Sequence, residues 1–128
     1  MNPQAVGEAL RLLRRGSLLM RELEAYFSAH ALSQTRFLTM ILIDREPARD
    51  GLFPSEIADR LDISRPVVTD TIKSLERAGL LHSIRDISDR RAKKVRLTPD
   101  GRAALAAVLP GYFALIADFM DRSTDDAS

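Results

Sequence analysis

Six basic side chains, Arg85, Arg90, Arg91, Lys93, Lys94 and Arg96, fall within residues 80–97 against two acidic ones, Asp86 and Asp89. Shortly before them Pro66, Asp70, Lys73 and Arg77 recur at four, three and four residues, with Arg65, Val67, Thr69 and Ser74 alongside. Guanidinium and ammonium groups attract phosphate and hydroxyls donate to it, so both stretches carry the chemistry of an anion-binding face. On a chain whose formal net charge is +1, such a concentration singles out one surface, although charge runs also occur as plain solvated surface. Catalytic chemistry finds no support. There is no cysteine, which excludes disulfides, thiolate metal sites and thiol redox sensing. His30 and His82 are the two histidines, too few for a histidine-rich metal cluster, and Ser64 with His82 makes no motif. No phosphate-binding glycine loop is present, so neither an enzyme nor a bound cofactor or metal is expected.

The elements that must position these residues follow from periodicity and punctuation. The chain has 128 residues, 45% hydrophobic and 29% charged, which fits one globular domain with a modest core. Val6, Leu13, Met20 and Phe27 recur every seven residues with Leu10 and Leu23 between, and Ala5, Leu12, Leu19 and Tyr26 run beside them. This double stripe predicts a helix over 3–28, with Gly16 permitting a kink. A second helix is expected over 33–44 with Ser33 at its cap, then a loop through Pro47 and Gly51, with a short strand before the next helix. Pro54 opens a third helix over 54–61, Asp62 suits a left-handed turn, and Ser64 caps a fourth over 65–78 that ends at Gly79. Two short strands, "LLHSIR" and "KKVRL", flank a tip "DISDRRA". Thr98 and Pro99 open a last helix that runs to about Met120 and bends near Pro110. The uncharged run 103–117 is too short to span a bilayer and is expected to be buried by protein on most sides. The acidic end, residues 121–128, is expected to be disordered. The fold class is mainly α with a small β-hairpin.

Two helices joined by a tight turn make a helix-turn-helix, whose second helix can lie in the major groove of double-stranded DNA. Val68, Ile72 and Leu75 face inward, and the opposite face carries no large aliphatic or aromatic side chain beyond Val67. Ser64, Thr69 and Ser74 can donate to phosphates, Arg65 can fork onto guanine, and Val67 can touch a thymine methyl. Lys73 and Arg77 reach the backbone. Asp70 accepts from a cytosine amino group or pairs with Lys73 or Arg77. The hairpin would be a wing, with Arg91 entering a minor groove, Arg90 beside it, Asp89 holding the Arg91 guanidinium, and Lys93, Lys94 and Arg96 on phosphates. The rival is a winged helix that uses Arg90 and Arg91 to bind an acidic protein. A metal-sensing winged helix stands third.

On "SEIADRLDISRPVVTDTIKSLERAGLL" (55–81), the tip "DRR" (89–91) and "VRLTPDG" (95–101), the chain resembles the MarR family of winged-helix transcription regulators over residues 34–110. The resemblance implies a homodimeric regulator, a repressor on a pseudo-palindromic operator, with Asp89 and Arg91 as the wing-tip pair and a small aromatic effector. Tyr26, His30 and Arg36 are expected near the junction of the two lobes, and none is assigned a ligand. The family has a further helix after the long fifth one; here the chain reads "RSTDDAS" instead, and that helix is expected to be missing or vestigial. The expected division is a dimerisation helix at 1–32, a DNA-binding lobe at 33–97, a second dimerisation helix at 98–120 and the tail. The apolar faces of the first and last helices exceed what one small lobe covers, which also points to a dimer. The first residues, "MNPQAVGEALRLLRRG", lack the apolar core of a secretion signal, so a cytoplasmic, nucleoid-associated protein without membrane attachment is expected.

Overall fold

The computed structural model describes residues 2–46, 51–85 and 93–126, the last four by backbone alone. The element order is α1 (Pro3–Ala29), α2 (Gln34–Asp44), α3 (Pro54–Leu61), α4 (Arg65–Arg77), β1 (Leu81–Arg85), β2 (Lys93–Leu97) and α5 (Pro99–Asp126). The architecture is mainly helical with one two-stranded antiparallel hairpin. The chain divides into two compact units, residues 33–108 and residues 1–32 with 109–128.

In the unit of residues 33–108, local chemistry sets each helix boundary. Ser33 Oγ accepts from the Arg36 amide at 3.2 Å and starts α2, whose Phe37, Met40 and Ile43 are buried. Thr39 is buried too, its hydroxyl donating to the Thr35 carbonyl at 2.8 Å. At the start of α3, Glu56 Oε1 accepts from the Phe53 amide at 3.1 Å, and Arg60 Nη1 reaches Glu46 at 2.7 Å. The hydrogen bond to Glu46 is the main cause that raises the Arg60 pKa above its ordinary value. Asp62 takes the left-handed conformation with φ 54°. The short strand expected between α2 and α3 is a single bridge, in which Leu52 and Val95 exchange amide hydrogen bonds of 3.0 and 2.7 Å. The hairpin pairs Leu81 with Leu97 and Arg85 with Lys93 at its two ends. Its buried residues are Leu81, Val95 and Leu97.

One clasp joins the end of α4, the base of the hairpin and the start of α5. Gly79, at φ 78°, lets its amide return to the Glu76 carbonyl at 2.9 Å and the Leu80 amide to the Leu75 carbonyl at 2.9 Å. Thr98 then donates its amide to the Leu80 carbonyl at 3.0 Å and its hydroxyl to the Gly79 carbonyl at 2.6 Å. The same hydroxyl accepts from the Gly101 amide at 2.9 Å and caps α5. A Cβ at Gly101 would collide with the Leu80 carbonyl, which is why the backbone can close here only on glycine.

In the unit of residues 1–32 and 109–128, Asn2 Oδ1 caps α1 by accepting from the Gln4 and Ala5 amides at 3.1 and 3.2 Å. Leu23 and Phe27 are buried, and the Phe27 ring stacks on Tyr112 with centroids 6.0 Å apart. The rest of the double stripe is uncovered: Leu12 is 67% and Leu13 68% exposed, with Val6, Leu10 and Met20 also open. Two expectations for α5 need correction. It is not buried on most sides, since Phe113 and Met120 are exposed and only 17% of its most apolar window is buried. Its Pro99–Arg122 stretch is also long and apolar enough, by length and composition alone, to cross a membrane. The helix passes Met120 and runs to Asp126, overriding the disorder expected for 121–126. Its end is held by Arg122, which bonds Glu22 at 2.8 Å and Asp118 at 3.1 Å, the Glu22 hydrogen bond being the main cause that raises the Arg122 pKa. Residues 127–128 lie outside the described residues.

Replacing Gly101 by alanine should lower unfolding stability by about 1–3 kcal/mol in denaturant titration, the range for overpacking a fitted contact. An unchanged midpoint would mean the clasp can open without cost.

Candidate nucleic-acid interface

The face expected on α4 is present. Val68, Thr71, Ile72 and Leu75 point into the core, Thr71 settling its hydroxyl on the Val67 carbonyl at 2.7 Å. Arg65, Pro66, Val67, Thr69, Asp70, Lys73 and Arg77 are exposed, and Ser74 is half-buried at the edge. Val67 is 44% exposed, an apolar methyl pair open to solvent on an otherwise polar face. Ser64 Oγ accepts from the Val67 amide at 3.3 Å, which starts the helix and leaves the hydroxyl proton available to an outside acceptor. Pro66 has no amide hydrogen and the Val67 amide is taken by Ser64, so the first turn offers the Arg65 amide and the positive end of the helix dipole.

Sequence reasoning left two roles open for Asp70, and the geometry removes one. Among the described residues its carboxylate makes no ion pair or hydrogen bond, with Lys73, Arg77 or any other side chain. Glu76, one turn further on, behaves differently: it accepts from the Ser83 hydroxyl at 2.8 Å and ties α4 to β1. That link was missed in the sequence, because nothing local marks a glutamate for a strand seven residues away.

The hairpin is in place at its base. Lys93 is exposed at the outer end of β2, while Lys94 extends over the Phe53 ring, with Nζ 5.4 Å from the centroid. Arg96 pairs across the ladder with His82. The wing-tip residues Asp89, Arg90 and Arg91 lie outside the described residues. Tyr26 and His30 come together in the unit of residues 1–32 and 109–128, with ring centroids 4.5 Å apart and His30 Nδ1 2.9 Å from the Tyr26 carbonyl. Arg36 belongs to the other unit.

Comparison with known proteins agrees with this arrangement. The MarR family model matches residues 30–92. The repressor YetL of Bacillus subtilis is 31% identical over 105 residues, 81% of this chain and 62% of that protein. AbsC of Streptomyces coelicolor, described as a MarR family transcriptional regulator, superposes with a TM-score of 0.86 at 20% identity, covering 93% of this chain and 80% of that one. The chain is similar to the MarR family in sequence over residues 30–92 and shares the fold of its solved members. A further similar structure is the transcriptional regulator MOSR of M. tuberculosis, solved in complex with DNA, with a TM-score of 0.70 at 25% identity over 86% of this chain and 77% of that one. The chain spans about three-fifths of the length of the curated relatives it matches.

The cap can be tested apart from the contact surface. Ser64→Ala should cost about 0.5–2 kcal/mol of unfolding stability, and Ser64→Gly only a few tenths, measured by urea titration. Equal losses for both would show that the serine oxygen does not hold the start of α4.

Proposed function

We propose that this chain is a MarR-family, sequence-specific double-stranded DNA-binding transcription regulator, acting as a dimeric repressor on a pseudo-palindromic operator. The observation that carries the reading is the outward face of α4: a capped helix, anchored on Val68, Ile72 and Leu75, that keeps Arg65, Thr69, Asp70, Lys73 and Arg77 in solvent. Such a face fits a major groove, with phosphates at Ser64, Thr69, Ser74, Lys73 and Arg77, and base edges at Arg65 and Val67. The wing supplies the flanking contact through Arg90 and Arg91, with Asp89 orienting Arg91 and Lys93 on the backbone. Lys94 contributes a phosphate contact only if it leaves Phe53. Support comes from relatives described as a transcriptional repressor and a transcriptional regulator, and from the MOSR complex with DNA. Binding rather than catalysis is the activity, and the cytoplasm, where the DNA is, is its place. Relief by a small aromatic effector belongs to the same reading, with the family as its only support.

The dimer rests on a separate observation. Val6, Leu10, Leu12, Leu13, Met20, Phe113 and Met120 form more exposed apolar surface than a soluble single chain keeps open. A second copy with twofold symmetry covers it, and sets two reading helices about 34 Å apart, one DNA turn.

Binding to the DNA upstream of its own gene should fall steeply as salt rises, with a log–log slope of several units. Arg91→Ala should weaken that binding by about 1–3 kcal/mol and change base preference, whereas Lys94→Ala should cost less and equally on all sequences. Affinity unaffected by salt and by both changes would instead favour the winged helix that binds an acidic protein.

Light scattering at micromolar concentration should give twice the chain mass, and Leu13→Asp should give the monomer with its helical content intact. A monomeric wild type, or one that sediments with membranes, would refute the dimer.

A further inference from the structure

Asp70 sits at the centre of a surface otherwise suited to phosphate. It is the sixth residue of the thirteen in α4, and it lies between Pro66 and Lys73 on the side opposite Val68 and Leu75. A helix inserted with that side foremost turns its midline toward the base edges and its flanks toward the two backbones. The midline is therefore where a carboxylate can escape the phosphates. A carboxylate in this position has acceptors only and nothing to donate.

The reasons a protein usually keeps an acid on such a helix do not apply. Asp70 is not holding Lys73 or Arg77, and no other described side chain engages it. It is not a cap, since Ser64 performs that role six residues earlier. No group of three potential metal ligands includes it among the described residues. In the free protein its carboxylate is exposed to solvent. On a duplex that solvent must leave, and the stripped carboxylate is left beside a polyanion unless a donor replaces the water. The major groove offers two donors, the amino groups of cytosine and adenine, and the pairing that suits an aspartate is with cytosine N4.

We infer that Asp70 is a specificity-determining residue that reads a cytosine amino group in the major groove of each operator half-site. The inference rests on the DNA-binding reading above and adds the base class to it. Its action is largely exclusion. Where guanine or thymine replaces the cytosine, the carboxylate meets carbonyl acceptors or a methyl group and stays unpaired. Lys73 and Arg77 raise affinity for any duplex, and Asp70 lowers it for all but those with the donor in register.

The experiment is selection of duplexes from a random pool by the full chain, run in parallel for the wild type, Asp70→Ala and Asp70→Asn, followed by titration of single duplexes. The wild type should enrich one cytosine per half-site, with each replacement of that C·G pair weakening binding about 5- to 150-fold. Asp70→Ala should lose this preference while the other positions keep theirs, and should bind random duplex more tightly at low salt. Asp70→Asn should move the preference toward adenine, because its amide can donate to N7 and accept from N6 together. Asp70 is exposed, so all three proteins should melt alike. Identical motifs from the wild type and Asp70→Ala would overturn the inference and leave the DNA-binding reading standing, as would a uniform loss of affinity on every sequence. A wild type that enriches no motif and whose binding ignores salt would overturn both.

Discussion

The carbonyls of Gly79 and Leu80 are the point on which the described half of the interface depends. Both accept from Thr98, one from its hydroxyl and one from its amide. Through them the end of α4, the entry to β1 and the first turn of α5 share a single fixed geometry. The hairpin leaves α4 within four residues, so its direction is set almost entirely by this contact and by the Leu52–Val95 bridge at its other side. Glu76 adds a third tie through Ser83. If α4 and the hairpin meet DNA together as proposed, an angle between them fixed beforehand spares the affinity that ordering them on binding would consume. Here hydrogen bonds from Thr98 and between backbone groups do that work, while Arg65, Lys73 and Arg77 stay exposed on α4.

Features written in local chemistry were legible in the sequence. Ser33, Ser64 and Thr98 each announce a helix start by type and place, and each accepts from an amide in the first turn. Asp62 and Gly79 adopt the left-handed conformations their residue types allow. The inward triplet Val68, Ile72 and Leu75 followed from spacing alone. What the sequence hid were relations between distant residues. Arg122 finds Glu22 one hundred positions away and extends α5 beyond the point where composition suggests it should fray. Lys94 lies over Phe53 because the bridge brings β2 beside the start of α3. The small size of Gly101 matters only because the Leu80 carbonyl approaches it, which no window of sequence contains. Asp70 is the converse case: spacing offered it two partners on its own helix, and neither is taken.

The near-zero net charge now has a physical sense. Several acids are engaged in structural ties, Glu22 and Asp118 with Arg122, Glu46 and Glu56 with Arg60, and Glu76 of α4 with Ser83. Arg65, Lys73 and Arg77 are left without such partners among the described residues, three cations on α4 against Asp70 and Glu76, on a chain that as a whole is almost neutral. In the proposed reading, attraction for DNA is then carried by one face rather than by the chain's overall charge.

The two glycines of the clasp are required for opposite reasons, and they leave different freedom for change. Gly79 needs a backbone that ordinary residues avoid, yet has open space where a Cβ would go. Gly101 has an ordinary helical backbone and no space at all. Over long divergence the first can drift to asparagine, which tolerates the left-handed region, with modest penalty. The second has no such neighbour in the genetic alphabet, so of the pair it is the one a lineage cannot exchange without moving the wing.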